Sequence, residues 1–139
     1  MSVARLSVPD LAKRLRAGVR ASGGDWDRIA AVELLIQHES WLYRADFRRF
    51  IKVDRRTGTA WLDLLEAAGW VDDARASSSE GAILRLACLL VGATPKDPAL
   101  RAEPQWTLRS ILRPLDRTNA ALAAEAVRYA VLGPARTSS

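Results

Sequence analysis

Apolar residues recur at helical spacing over most of the chain. Leu11, Leu15 and Val19 repeat every fourth position. They predict a first helix opened by a Ser7 cap, with Pro9 and Asp10 in its first turn. Gly23 and Gly24 close it. Trp26, Ile29, Val32 and Ile36, widened by Leu35, mark one face of a second helix, capped by Asp25 and running to about Tyr43. Asp27 falls in its first turn, where the helix dipole favours a negative charge. Asp63-Leu64-Leu65-Glu66 reads as a capping box for a short helix ending near Gly69. Ser77-Ser78-Ser79-Glu80 is a second such signal. Behind it Ile83, Leu84, Leu86, Ala87, Cys88, Leu90 and Val91 cover nearly every side, interrupted by Arg85. A helix apolar all round belongs in the middle of a bundle, and Gly92 is its stop. Pro95, Pro98 and Pro104 predict a loop or short turn over 93–105. A short helix follows at 106–113, with Leu108, Ile111 and Leu112 inward, and Pro114 breaks it. Asp116 or Thr118 caps a last helix that buries Leu122, Ala126, Val127, Tyr129 and Val131. Gly133-Pro134 ends it.

One stretch departs from the helical period. Phe50-Ile51-Lys52-Val53-Asp54 alternates apolar and polar, and Arg55-Arg56-Thr57-Gly58 leads to Thr59-Ala60-Trp61-Leu62. An Asp opening and a Gly closing a short loop suit a hairpin with Gly in the left-handed region. A helical turn plus loop is the alternative. The expected fold is all-α: a compact single-domain bundle of five to six helices over 1–133, with one small β-hairpin near residues 50-62 and a frayed tail at 134–139. The second helix, the helix behind Ser77 and the last helix should form its core.

Composition narrows the function classes. The 139 residues are 49% hydrophobic and 27% charged, with one Cys and one His. Those counts exclude a disulfide framework and a zinc site. No stretch resembles a signal peptide or approaches the ~20 apolar residues of a membrane span, so a cytoplasmic location without membrane association is expected. The net charge is +5, carried by 18 Arg and 3 Lys. Arg and Ala are what a G+C-rich genome favours through its codons, so the total alone says little.

The distribution of charge says more. Residues 1–24 sum to +4, 25–43 to −3, 44–56 to +4 and 57–74 to −4. The block at 44–56 holds Arg44, Arg48, Arg49, Lys52, Arg55 and Arg56, with Tyr43, Phe47 and Phe50 around and between them. Arg and Lys bind phosphate oxygens and aromatic faces stack on bases, so Arg48, Arg49, Lys52, Arg55 and Arg56 are candidate contacts for nucleic acid or another partner. The competing reading puts Phe47 and Phe50 in the core and pairs the arginines with the acidic blocks on either side. The first helix offers Lys13, Arg16 and Arg20 on one face. The second carries Asp27, Glu33 and Glu39, the wrong sign for a DNA-recognition helix.

The catalytic inventory is thin. His38 sits beside Glu39 in a partly apolar setting, Cys88 lies in the most apolar helix, and Glu33 and Glu39 are too far apart to share a helix face. There is no P-loop, dinucleotide fingerprint or nucleophile elbow. No catalytic residue, cofactor or metal ligand is assigned, and the chain reads as a non-enzyme. The five Trp sit near element ends; Trp70 and Trp106 adjoin loops and are candidate interface anchors.

Asp25-Trp26-Asp27-Arg28 through Trp41-Leu42 to Asp46-Phe47 resembles a group of small helical proteins of high-G+C bacteria, most without an assigned role. Ser77-Ser78-Ser79-Glu80 and Leu115-Asp116 with Asn119 are similar to them as well. The resemblance implies an all-helical bacterial protein and carries no activity or site residue. The function expected is a binding module that engages a protein partner or itself, with phosphate-backbone binding by residues 44–56 as the alternative.

Overall fold

The computed structural model describes residues 3–135, so positions 136–139 of the expected tail lie outside the described residues. A 3-10 turn (Val3–Arg5) leads into α1 (Val8–Ala21). Ser7 caps α1 by accepting from the Asp10 N–H at 3.2 Å, and Leu11, Leu15 and Val19 are buried as their spacing predicts.

The second helix, α2 (Trp26–His38), is shorter than its periodicity suggests. It ends at Glu39, which adopts φ 69°, and a 3-10 turn (Ser40–Tyr43) follows. A non-glycine residue there costs about 1–3 kcal/mol. The break turns Trp41 and Leu42 inward, where both are fully buried, and the Trp41 Nε1–H donates to the Glu80 carbonyl at 2.9 Å. Removing two large side chains from water offsets the strain. Nor is α2 one-faced. It buries Ala30, Ala31, Leu34 and Leu35 beside Val32 and Ile36, while Trp26 is 48% exposed. The small alanines let neighbours approach on the sides that a hydrophobic count leaves blank.

After one turn of helix, α3 (Ala45–Arg48), the alternating stretch forms the hairpin. Strands β1 (Ile51–Val53) and β2 (Ala60–Leu62) pair antiparallel, with Ile51 opposite Leu62, Lys52 opposite Trp61 and Val53 opposite Ala60. Gly58 closes the loop at φ 72°, its N–H donating to the Asp54 carbonyl at 2.8 Å. In α4 (Leu64–Trp70) the Asp63 side chain accepts from the Glu66 N–H at 3.1 Å. A 3-10 turn (Val71–Asp73) leads on to α5 (Ser78–Leu90). There both halves of the capping box form between Ser77 and Glu80, and the helix is buried on most sides.

The proline-rich stretch holds α6 (Pro98–Arg101) and a 3-10 turn (Pro104–Trp106), followed by α7 (Leu108–Leu112). Asp116 caps α8 (Arg117–Leu132), accepting from the Asn119 N–H at 2.8 Å. Both of the last helices bury less than expected. Leu108 and Leu112 are exposed and only Ile111 of α7 is fully inward, because a five-residue helix offers α5 a single side. Along α8 the core contact runs through Ala123 and Ala126, leaving Val127 exposed and Val131 68% exposed.

The result is mostly α-helical: eight α-helices among the described residues, five of them seven residues or longer, and one two-stranded hairpin. As expected, α2 is central, packed most extensively on α8 and α5. The buried side chains form one apolar cluster. The hairpin docks on α1 at Gly18, where a β-carbon would lie 1.8 Å from the Ala60 carbonyl oxygen.

Candidate functional site

The basic block at 44–56 divides into cations used by the fold and cations that face solvent. Arg48 belongs to the fold. Its Nε donates to the Leu42 carbonyl at 2.6 Å, and its Nη1 donates to the carbonyls of Val3 and Leu6 at 3.0 and 2.8 Å and, at 3.4 Å, to that of Ala4. A guanidinium committed to carbonyls on two sides is a clamp between the N-terminal segment and the turn after α2, which removes Arg48 from the phosphate contacts.

Arg49 lies over an aromatic cluster, 4.7 Å from the Phe50 ring centroid and 5.1 Å from that of Trp70. Trp41, Phe47, Phe50 and Trp70 pack edge-on or tilted, with centroids 5.3–6.0 Å apart. The aromatics of the block are therefore core, apart from Tyr43, which is exposed. Trp70 is half-buried within this cluster.

Arg44 pairs with Asp46 at 2.8 Å, inside its own block. The Arg16–Glu33 pair does join the first basic block to the acidic one after it. The other ion pairs among the described residues are Arg85–Asp72 and Arg128–Glu125. None joins the 44–56 cations to the acids flanking them, so the expected neutralisation of that block does not occur.

The solvent-facing cations lie on the hairpin. Ile51 and Leu62 point into the core, so their neighbours Lys52 and Trp61, opposite one another in the register, share the outer face. Trp61 is 51% exposed. The Lys52 ammonium gives one hydrogen bond to the Arg49 carbonyl at 3.2 Å. Arg55 and Arg56 occupy the exposed turn, and their side chains make no hydrogen bond or ion pair among the described residues.

The turn carrying them is held from both sides. The Asp54 carboxylate accepts from the Arg56 N–H at 2.9 Å, and Arg14 of α1 donates to the Gly58 carbonyl at 3.1 Å. Beside the outer face opens a cleft of about 340 Å3, with Trp61 and Arg28 on its walls and Asp63, Leu65, Val91 and Ala93 among its lining. Trp61 and Arg28 did not stand out in the sequence. The signal for Trp61 was the alternation itself: with Ala60 and Leu62 inward, residue 61 must face out.

Trp106 is placed otherwise than an interface anchor requires. It is 7% exposed, its Nε1–H donates to Asp72 at 3.3 Å, and the Arg85 guanidinium lies 5.9 Å from its ring. Its indole joins the end of the proline-rich segment to the Arg85–Asp72 pair, because a buried indole N–H needs an acceptor and Asp72 supplies one. The most exposed indoles are those of Trp26 and Trp61.

The remaining reactive groups are enclosed. Burial pushes the Cys88 thiol up to about 12, and its Sγ–H donates to the Leu64 carbonyl at 3.6 Å; such a thiol is a poor nucleophile. His38 has a buried Nδ1 with no hydrogen-bond partner among the described residues. Its burial lowers its pKa from the ordinary value, against the opposing charges of Glu80 and Asp116. Among the described residues no group of three or more His, Cys, Asp and Glu side chains is arranged to hold a metal ion. No described helix is long and apolar enough to cross a membrane. Compared with known proteins, the chain matches no family model, no curated protein and no solved structure.

Proposed function

We propose that this chain is a non-enzymatic, cytoplasmic binding module that holds the phosphate backbone of a nucleic acid against its hairpin. The observation that carries the reading is the turn itself. Arg55 and Arg56 stand exposed without ion pairs among the described residues, on a loop fixed by Asp54 and Arg14. Two cations whose guanidinium groups stay unpaired at the tip of the hairpin, while the Asp54 carboxylate is taken up by the Arg56 backbone N–H, suit an anionic polymer, since counterion release supplies most of such affinity. Lys52 extends the positive face toward Trp61.

The test is binding of labelled DNA and RNA by fluorescence anisotropy across a salt series. Affinity should fall steeply as salt rises. The double variant Arg55→Ala, Arg56→Ala should fold normally and lose roughly 1.5 units of the log–log salt slope, about 0.7–0.9 per phosphate contact. No binding at low salt overturns the class of partner, and an unchanged slope in the folded variant overturns the site.

A second reading, engagement of a protein partner or of a second copy, is favoured by a separate observation. Leu108 and Leu112, four apart on α7, and Val127 and Val131, four apart on α8, are exposed, and a stripe of exposed large apolar side chains along a helix suits a contact site. Light scattering over a concentration series tests the second-copy form, which a constant monomer mass excludes.

A further inference from the structure

We infer that the hairpin face selects unpaired over paired nucleic acid by stacking an exposed base in the cleft that Trp61 and Arg28 line; this rests on the nucleic-acid reading above. The cleft is concave, whereas an element that reads a duplex groove must project into it. A paired base cannot enter a hollow without first leaving its stack, while a single strand offers its bases freely.

The lining suits a base better than a phosphate. The half-exposed Trp61 indole lines the hollow, and Leu65, Val91 and Ala93 give it apolar surface. Arg28, also in the lining, is exposed and makes no side-chain hydrogen bond among the described residues. Its planar guanidinium stacks on rings and donates to carbonyl or phosphate oxygens. Asp63 contributes the one carboxylate. Its Oδ1 is committed to the Glu66 N–H, which leaves Oδ2 to accept from a base N–H. That acceptor repels phosphate, so the backbone runs along Lys52, Arg55 and Arg56 while the base turns into the cleft. Position and chemistry thus divide along one short ribbon: cations at the turn, the aromatic wall at β2.

The experiment compares a single-stranded oligonucleotide, its duplex and heparin, a polyanion without bases, in one buffer on the full chain. The single strand should bind roughly tenfold more tightly than the duplex, the size expected when one base stacks on an aromatic side chain. Trp61→Leu should erase that preference, bringing the single strand to the duplex level with duplex affinity unchanged. Arg28→Ala, at an exposed position of the lining, should reduce the preference without unfolding the protein and serves if the Trp61 variant folds poorly. Arg55→Ala, Arg56→Ala should weaken single strand, duplex and heparin together. Equal affinity for single strand and duplex, or for single strand and heparin, overturns the base-stacking inference while leaving the phosphate reading intact. So does a preference that survives both cleft variants. Failure of all three probes to bind at low salt overturns both.

Discussion

Arg48 shows how residue type and role can part. Within a run of cations it has the same formal charge as Arg55, yet its guanidinium is spent on backbone carbonyls, donating to those of Leu6 and Leu42 and adding a second donor to that of Val3, which also accepts from the Leu6 N–H. Hydrogen bonds from a charged donor are worth about 1.5–3 kcal/mol each, and a buried acceptor left alone costs about 1–3 kcal/mol. Because these bonds share one side chain and are partly exposed, Arg48→Ala should lower stability by about 2–4 kcal/mol in urea unfolding. Arg48→Lys keeps the charge but not the planar fork, so it should fall between wild type and Arg48→Ala. In the salt series the two residues separate cleanly. Folded Arg48→Ala should keep the wild-type slope, whereas Arg55→Ala, Arg56→Ala loses slope at unchanged stability. A variant at Arg48 that loses slope but no stability would falsify the clamp.

Between elements the decisive contact is the hairpin on α1. Gly18 leaves no room for a β-carbon, which would meet the Ala60 carbonyl oxygen at 1.8 Å. In an isolated helix Gly→Ala gains up to about 1 kcal/mol. Gly18→Ala should instead destabilise by roughly 2 kcal/mol or more, because β2 must shift off the helix. Denaturant unfolding gives the sign, and weakened nucleic-acid binding should accompany it as the Arg14 link to the loop is disturbed. Neutral stability in this variant would mean that the hairpin floats free of α1. Elements of this size were largely legible along the chain. The caps at Ser7, Asp63, Ser77 and Asp116 are local chemistry, and local chemistry can be read from neighbours a few positions apart. The same holds for the alternation that makes the hairpin. What escaped depends on partners distant in sequence. The α2 period runs on past His38, but the chain turns at Glu39 because Trp41 is buried against α5. Leu108, Leu112, Val127 and Val131 fall at helical spacing, yet no element among the described residues covers them. The site was half-legible for the same reason: Arg55 and Arg56 follow from the turn, whereas the sharing of one cleft by Trp61 and Arg28 depends on where the fold puts the start of α2.

At the scale of the whole molecule, the meeting of α2, α5 and α8 ties stability to pH. His38, at the end of α2, faces Glu80 in the first turn of α5 and Asp116, the cap of α8. Those carboxylates favour the imidazolium, but burial of the ring outweighs them and lowers its pKa. The buried Nδ1, without a partner among the described residues, agrees with that direction: protonation would add a second N–H donor where none of them places an acceptor. With the folded value below the unfolded one near 6.5, the unfolded chain binds more protons in the interval between them, so stability falls as pH drops through it. Above about pH 7 both states are neutral and the effect vanishes. Asp and Glu side chains complicate a simple acid titration between about pH 7 and pH 5, but wild type and variant share them. The comparison with His38→Gln over that range therefore isolates the imidazole. The excess stability of the wild type over the variant should shrink steadily from about pH 7 to pH 5, read as the difference in urea midpoints. A difference that grows toward acid would mean that Glu80 and Asp116 overcome burial, making the junction an ion-pair network. A flat difference would mean that His38 titrates alike in both states, and that α2, α5 and α8 meet through packing alone.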